Sequence, residues 1–187
     1  MQKRTDGGVC PYFIPLSFIT NLITNHLMTL PQRKSLRLKD FDYSTSGYYF
    51  LTLVTKNRME LFGEIIDDKM YHNNAGQMIM DSYLTIPNQF PTIKCMDAVV
   101  MPNHFHCILE VCDNNTTTIS AVMRWWKSLT THKYIEGAKQ NQWEMYDKKL
   151  WQNRYFDHII RNQHDFDMIR NYIFQNPSRW KKDCFYQ

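Results

Sequence analysis

The chain contains no long uninterrupted apolar run, no Cys-x-x-Cys pair, and only 6 glycines and 7 prolines in 187 residues. Each shortage removes a class of protein. The low glycine and proline content, beside 43% hydrophobic and 14% aromatic residues, excludes fibrous and intrinsically disordered chains. Five cysteines (Cys10, Cys95, Cys107, Cys112, Cys184) are an odd number at irregular spacing, which argues against a disulfide framework and a thiolate zinc site. Cys95, Cys107 and Cys112 read as small apolar fillers in strands, and a reducing cytoplasm is the expected compartment. The stretch VCPYFIPLSFITNLITNHLM is broken by Pro11, Pro15, Asn21 and Asn25, with no small-residue cleavage site after it. It therefore reads as neither a secretory signal nor a membrane span. Met28 immediately precedes a change to basic, turn-rich sequence, so residues 1–27 are expected to be a non-native or disordered leader and 28–187 one domain. That length suits one core and is short for two.

Charge is present but unevenly spread. The net charge is +4, yet Ile119 to Lys182 holds 12 Lys+Arg against 6 Asp+Glu, leaving the remainder slightly acidic. A basic C-terminal third fits an anionic partner.

Hydrophobic periodicity orders the elements. YYFLTLVTKN, rich in aromatic and β-branched residues, predicts a buried strand. EIIDDKMYHNN, with a central Asp-Asp turn, predicts a hairpin, and AGQMIMDSYLTIPNQF a helix closed by Pro87. CMDAVVM and FHCILEV, separated by Pro102 and Asn103, predict an antiparallel pair. ISAVMRWWKSLTTHKYI predicts an amphipathic helix with Ile119, Val122, Met123, Trp126 and Leu129 inward. EGAKQNQWEMYDKK reads as a loop or lid, WQNRYFDHIIR as a strand, and QHDFDMIRNYIFQNP as a last helix that Pro177 ends. The order β, α, β, β, α, β, α is that of an α+β, ferredoxin-like (RRM-like) antiparallel sheet with helices on one face and one appended helix.

Two features carry chemistry. In MPNHFHCIL, His104 and His106 are two apart on a strand, so both imidazoles leave one face while Phe105 enters the opposite layer. Neutral imidazoles so placed can share a divalent metal, although a purely structural pair has the same spacing. On the last helix Tyr172 and Asn176 are spaced i, i+4 and share a face. Taken alone, that tyrosine reads as a boundary residue with its hydroxyl in water.

Four blocks in order, RKSLRLKDFDYSTSGYYFLTLVTKNRMELFGEI, VVMPNHFHCIL, LWQNRYFDHIIR and IRNYIFQNP, resemble the HUH-type single-tyrosine transposases, most closely the bacterial REP-associated tyrosine transposases. The resemblance implies His104 and His106 as metal ligands, Tyr172 as nucleophile and Asn176 as third ligand. It also implies a Mg²⁺ or Mn²⁺ cofactor and metal-dependent cleavage and rejoining of single-stranded DNA hairpins through a 5′-phosphotyrosine. A monomer or a homodimer in the bacterial cytoplasm fits it equally. Tyr155 is the rival nucleophile, without a polar partner four residues on, and His158 a candidate for supporting the site.

For DNA contact the resemblance suggests Arg33, Lys34 and Arg37. The basic residues Arg124, Lys127, Lys133, Lys148, Lys149, Arg154 and Arg161 suit phosphates, and Trp125, Trp143 and Trp151 suit stacked bases. Two other classes remain: an inactive RRM-like single-strand binder, and a zinc protein adding Cys107 or Cys112 to the histidines. Alternation turns Cys107 away from the histidines and distance along the strand disfavours Cys112.

Overall fold

A computed structural model describes residues 44–113, 116–141 and 143–186. Arg33, Lys34, Arg37 and Met28 lie outside these residues. Six strands and four α-helices follow in the order β1 (Gly47–Val54), β2 (Gly63–Ile66), β3 (Lys69–His72), α1 (Asn74–Leu84), α2 (Ile86–Gln89), β4 (Ile93–Met101), β5 (His104–Val111), α3 (Ile119–Asn141), β6 (Phe156–Ile160) and α4 (Gln163–Gln175). A 3-10 segment, Pro177–Lys182, follows α4.

Strands β4, β5, β1 and β6 form one antiparallel sheet in that spatial order. With α1 after β1 and α3 after β5, this is the βαββαβ arrangement of a ferredoxin-like domain. Strands β2 and β3 form a separate hairpin. Its Asp67 and Asp68 both adopt positive φ, the conformation of a tight two-residue turn that short polar side chains tolerate.

The sheet faces divide by alternation. Tyr49, Leu51 and Leu53 of β1 and Phe105, Cys107, Leu109 and Val111 of β5 enter the main core, with Ile79 and Tyr83 of α1 and Val122 and Trp126 of α3. Phe105 stacks on Trp126 with centroids 5.0 Å apart and meets Tyr83 edge-on at 5.4 Å. Phe50, Ile108 and Ile160 face the other way, into a smaller cluster closed by Ile169, Tyr172 and Ile173 of α4. Helix α4 therefore covers the face opposite α1 and α3. Asn162 caps its N-terminus by accepting from the Asp165 amide, and Arg170 pairs with Asp97 of β4 at 3.1 Å.

Three expectations need correction. Pro87 does not end the α1 segment; it sits in the first turn of α2, where its missing N–H costs nothing, and α1 already ends at Leu84, with Thr85 as its C-cap. The expected loop after Ile135 begins as helix, because α3 continues to Asn141; residues 143–149 are irregular as expected. Gly137 makes room there: a Cβ at that position would come within 2.5 Å of the Trp143 ring. The strand expected in WQNRYFDHIIR shortens to Phe156–Ile160, with Trp151 held separately in a bridge to Thr55.

Phe105 carries the sequence between the two histidines into the core, and Phe105→Ala is expected to cost about 3–5 kcal/mol of stability. Urea unfolding measures this, and a loss below about 1 kcal/mol would show that the strand is anchored elsewhere.

Candidate metal and nucleophile site

The two-residue turn at Pro102 and Asn103 starts β5 at His104, and alternation then places His104 and His106 on the α4 face. Register completes the floor of the site. Thr52 lies opposite His106 and Val54 opposite His104. Both imidazoles are buried, with ring centroids 4.6 Å apart.

Hydrogen bonds decide how each ring presents its nitrogens. The Asn103 amide donates from Nδ2 to the carbonyls of Arg58 (3.2 Å) and Phe185 (2.9 Å), which leaves its Oδ1 for His104 Nδ1 at 2.9 Å. An amide oxygen only accepts, so the proton sits on Nδ1 and Nε2 is left with a lone pair. That Nε2 atom is buried and has no hydrogen-bond partner. His106 Nδ1 meets Thr52 Oγ1 at 2.8 Å, and its Nε2 meets the Tyr172 hydroxyl at 3.2 Å.

Helix α4 lays Tyr172 against this floor. Far from reaching water, Tyr172 is buried, edge-on to Phe50 at 6.1 Å and 5.2 Å from the His106 ring. One turn later Asn176 caps the helix and is also buried. Its Nδ2 donates to Asp183 at 3.4 Å, and its Oδ1 is a second buried atom with no partner. Residues 177–185 then fold back over the histidines: Trp180 and Phe185 lie 5.8 Å and 4.8 Å from the His104 ring. This brings the Asp183 carboxylate to the site. Ligand atoms of His104, His106 and Asp183 all lie within 4.8 Å of one another.

Burial sets the electrostatics. Desolvation lowers His104 well below the ordinary histidine range, with neighbouring His106 adding to the effect and the Asn176 amide opposing it. Desolvation alone takes His106 down to about 3. Asp183 is raised, again by desolvation, against the opposing hydrogen bonds of the Phe185 amide and Asn176. Two neutral imidazoles, an unpartnered amide oxygen and a desolvated carboxylate form a donor set suited to a divalent cation, so the residues present fit one.

Not every expected residue joins this group. Tyr155 packs against the main core on the opposite side of the sheet. His158 bonds Asp165 at 2.8 Å, tying β6 to the first turn of α4. Cys107 is buried among core residues, away from the histidines. Arg124, Arg154 and Arg161 are exposed, whereas Lys127 is half-buried and donates to the Gln152 and Asn153 carbonyls at 2.6 and 3.4 Å. Trp151 is unavailable for stacking: it is buried, with Nε1 donating to Thr130. Trp125 and Trp143 are partly buried against the core. Thr52 and Asp183 have no local sequence signal for this site, and Asn103, beside His104, reads from sequence only as a turn residue.

The depressed histidines give stability a direction with pH. Unfolded histidines take up protons near pH 6.5, while folded His106 resists to about 3, so stability is full above 6.5 and falls as pH drops between these values. The loss is up to about 1.4 kcal/mol per pH unit for each such histidine. Urea midpoints of the metal-free protein at pH 7.5 and 5.0 measure it, with a shallower fall expected for His106→Gln. Equal midpoints at the two pH values would contradict the burial.

Comparison with known proteins identifies the family. The family pattern described as "Transposase IS200 like" matches residues 43–176. An uncharacterized protein of Haemophilus influenzae is 31% identical over 185 residues, covering 88% of this chain and 99% of its own length. A REP-associated tyrosine transposase of Escherichia coli is 25% identical over 142 residues, with 75% and 73% of the two chains covered. A solved REP-associated tyrosine transposase bound to a REP hairpin shares the fold, with a TM-score of 0.57 and 24% identity over 76% of this chain and 73% of that one. The pattern spans both histidines, the buried tyrosine and the asparagine one turn after it, and the chain belongs to the IS200-like transposase family.

Proposed function

We propose that the protein cuts and rejoins single-stranded DNA folded into hairpins, with Tyr172 as nucleophile and His104, His106 and Asn176 holding a divalent ion, Mn²⁺ or Mg²⁺. The observation that carries this reading is the 3.2 Å contact between the Tyr172 hydroxyl and His106 Nε2, beside the unpartnered Nε2 of His104. It puts a phenol and two imidazole nitrogens in one buried pocket. The family relationship, and a solved relative described as bound to a REP hairpin, support the substrate class.

A phenol with a pKa of about 10 is a weak nucleophile at neutral pH and needs an activated electrophile. His104 and His106 would hold a divalent ion, which when bound would supply that activation by withdrawing charge from the non-bridging phosphate oxygens. The remaining work belongs to the chain. Thr52 and Asn103 orient the imidazoles, and burial keeps both neutral, the state that offers a lone pair. Helix α4, clamped by Ile169, Ile173 and the Arg170–Asp97 pair, holds the phenol at the histidines. Attack of Tyr172 Oη on phosphorus forms one P–O bond as the bond to the 3′ oxygen breaks. The phenol gives up one proton, the departing 3′ oxygen takes up one, and the 5′ phosphate stays on the tyrosine. The new ester conserves the free energy of the old, so a 3′ hydroxyl can reverse the step without ATP. Exposed Arg124, Arg154 and Arg161 suit phosphate contact outside the pocket, and Arg33, Lys34 and Arg37 are proposed to add to it.

Incubation with hairpin oligonucleotides from the flanks of its own gene, with and without Mn²⁺, tests this. A metal-dependent protein–DNA adduct is expected, abolished by Tyr172→Phe and retained by Tyr155→Phe. Tight hairpin binding without any adduct would instead make the protein a single-strand binder on the same fold.

A further inference from the structure

We propose that Asp183 is an additional ligand of the same divalent ion, so that this centre combines two imidazoles and an amide with a carboxylate delivered by the segment after the tyrosine helix. The inference rests on the reading that His104 and His106 hold an ion.

Position comes first. The liganding atoms of His104, His106 and Asp183 lie within 4.8 Å of one another. Donors about 2.0–2.2 Å from one ion are at most about 4.4 Å apart, so the observed spread is within a few tenths of an ångström of a shared centre. None of these atoms makes an imidazole–carboxylate ion pair with another among the described residues. The three groups stand around a common point without bonding to each other.

The second observation concerns unmet polar atoms. His104 Nε2 and Asn176 Oδ1 are buried and have no partner. A buried donor or acceptor left unpaired costs free energy, and a cation among these groups satisfies the nitrogen and the oxygen together. Asp183 also directs the Asn176 amide: the carboxylate receives Nδ2, so the other end of the amide, Oδ1, is the unpartnered one.

The carboxylate itself is held in place. Its Oδ1 accepts the Phe185 N–H at 2.7 Å, and the Asp183 N–H donates to Trp180 at 2.9 Å. Buried Trp180 and the Asn103–Phe185 bond fasten the segment on either side. Among the described residues no lysine or arginine forms a salt bridge with Asp183. The half-buried carboxylate feels the Arg58 charge but makes no ion pair with it among the described residues, so a nearby cation would offset its desolvation. A carboxylate also changes the metal preference: oxygen donors suit Mn²⁺ and Mg²⁺, whereas imidazoles alone favour zinc.

Metal binding to the full chain provides the test, read without any DNA. Mn²⁺ affinity is followed by the electron paramagnetic resonance of the free ion, and Zn²⁺ affinity by competition, for the unmodified protein, Asp183→Asn, Asp183→Ala and His104→Gln. Both Asp183 variants are expected to weaken Mn²⁺ at least 10-fold while weakening Zn²⁺ less, and Mn²⁺ should raise their melting temperature less than that of the unmodified protein. Asp183→Asn keeps the size and an acceptor for the Phe185 amide, and circular dichroism verifies its fold. Agreement between the two variants separates ligation from damage to the segment. If the unmodified protein binds Mn²⁺, His104→Gln abolishes binding and both Asp183 variants bind within twofold of normal, Asp183 is not a ligand and the histidine site stands. If the unmodified protein binds no Mn²⁺, or His104→Gln leaves binding intact, the histidine site itself fails and this inference fails with it.

Discussion

The alternation of β5 is the constraint on which both core and site depend. Phe105 can stack on Trp126 only if His104 and His106 face the other way. A one-residue slip against β1 would exchange the two sets, placing imidazoles in the main core and an aromatic ring under α4. The energy that fixes the register is thus hydrophobic and comes from the side of the sheet away from the chemistry. Thr52 faces His106 for the same reason, through its position opposite it on β1. The pocket is assembled by burial of residues that take no part in it.

Within that frame, Asn103 joins three distant parts of the chain through one amide. It bonds the Arg58 carbonyl after β1, the Phe185 carbonyl near the C-terminus and the His104 ring. Because the donor end is committed to two carbonyls, the acceptor end must face the ring, and the tautomer of His104 follows without any further choice. His106 has a looser arrangement, since a threonine hydroxyl can donate or accept. Its orientation is shared between Thr52 and Tyr172, the one on the neighbouring strand and the other on the helix. The Nε2 that meets the phenol here is the atom a cation would use on the proposed reading, and the packing of α4 keeps the phenol adjacent to it.

What the sequence revealed and what it hid follow from the range of the interactions. His104 and His106 were legible because strand geometry relates residues two apart, and Tyr172 with Asn176 because helix geometry relates residues four apart. The ferredoxin-like order was legible from periodicity and turns. Asp183 was not, because the 3-10 turn between it and Asn176 has no side-chain period to read. Thr52 depends on a register across 54 residues. The same limitation explains Trp151, which resembled a stacking platform until its bridge to Thr55 and its bond to Thr130 placed it inside. Lys127 lies on the polar side of α3 by spacing, yet neighbouring backbone carbonyls at Gln152 and Asn153 occupy its ammonium. The polar run after Ile135 read as a loop because its composition is hydrophilic, whereas Gly137 lets Trp143 pack closely against the continuing helix.

The division of charge completes the physical picture. Arg124, Arg154 and Arg161 lie on the surface, where solvent and salt screen their charge from the buried histidines. Inside, burial favours neutral imidazoles and a carboxylate without a salt bridge, an arrangement that gains from positive charge rather than supplying it. On the proposed reading, surface arginines would hold a polyanion without entering the pocket, and a cation held inside would act on the reacting phosphate at short range in a low dielectric, where its field is least screened. Recognition and activation are separate on this account. The strands that bury the histidines keep them neutral, the state in which each offers a lone pair.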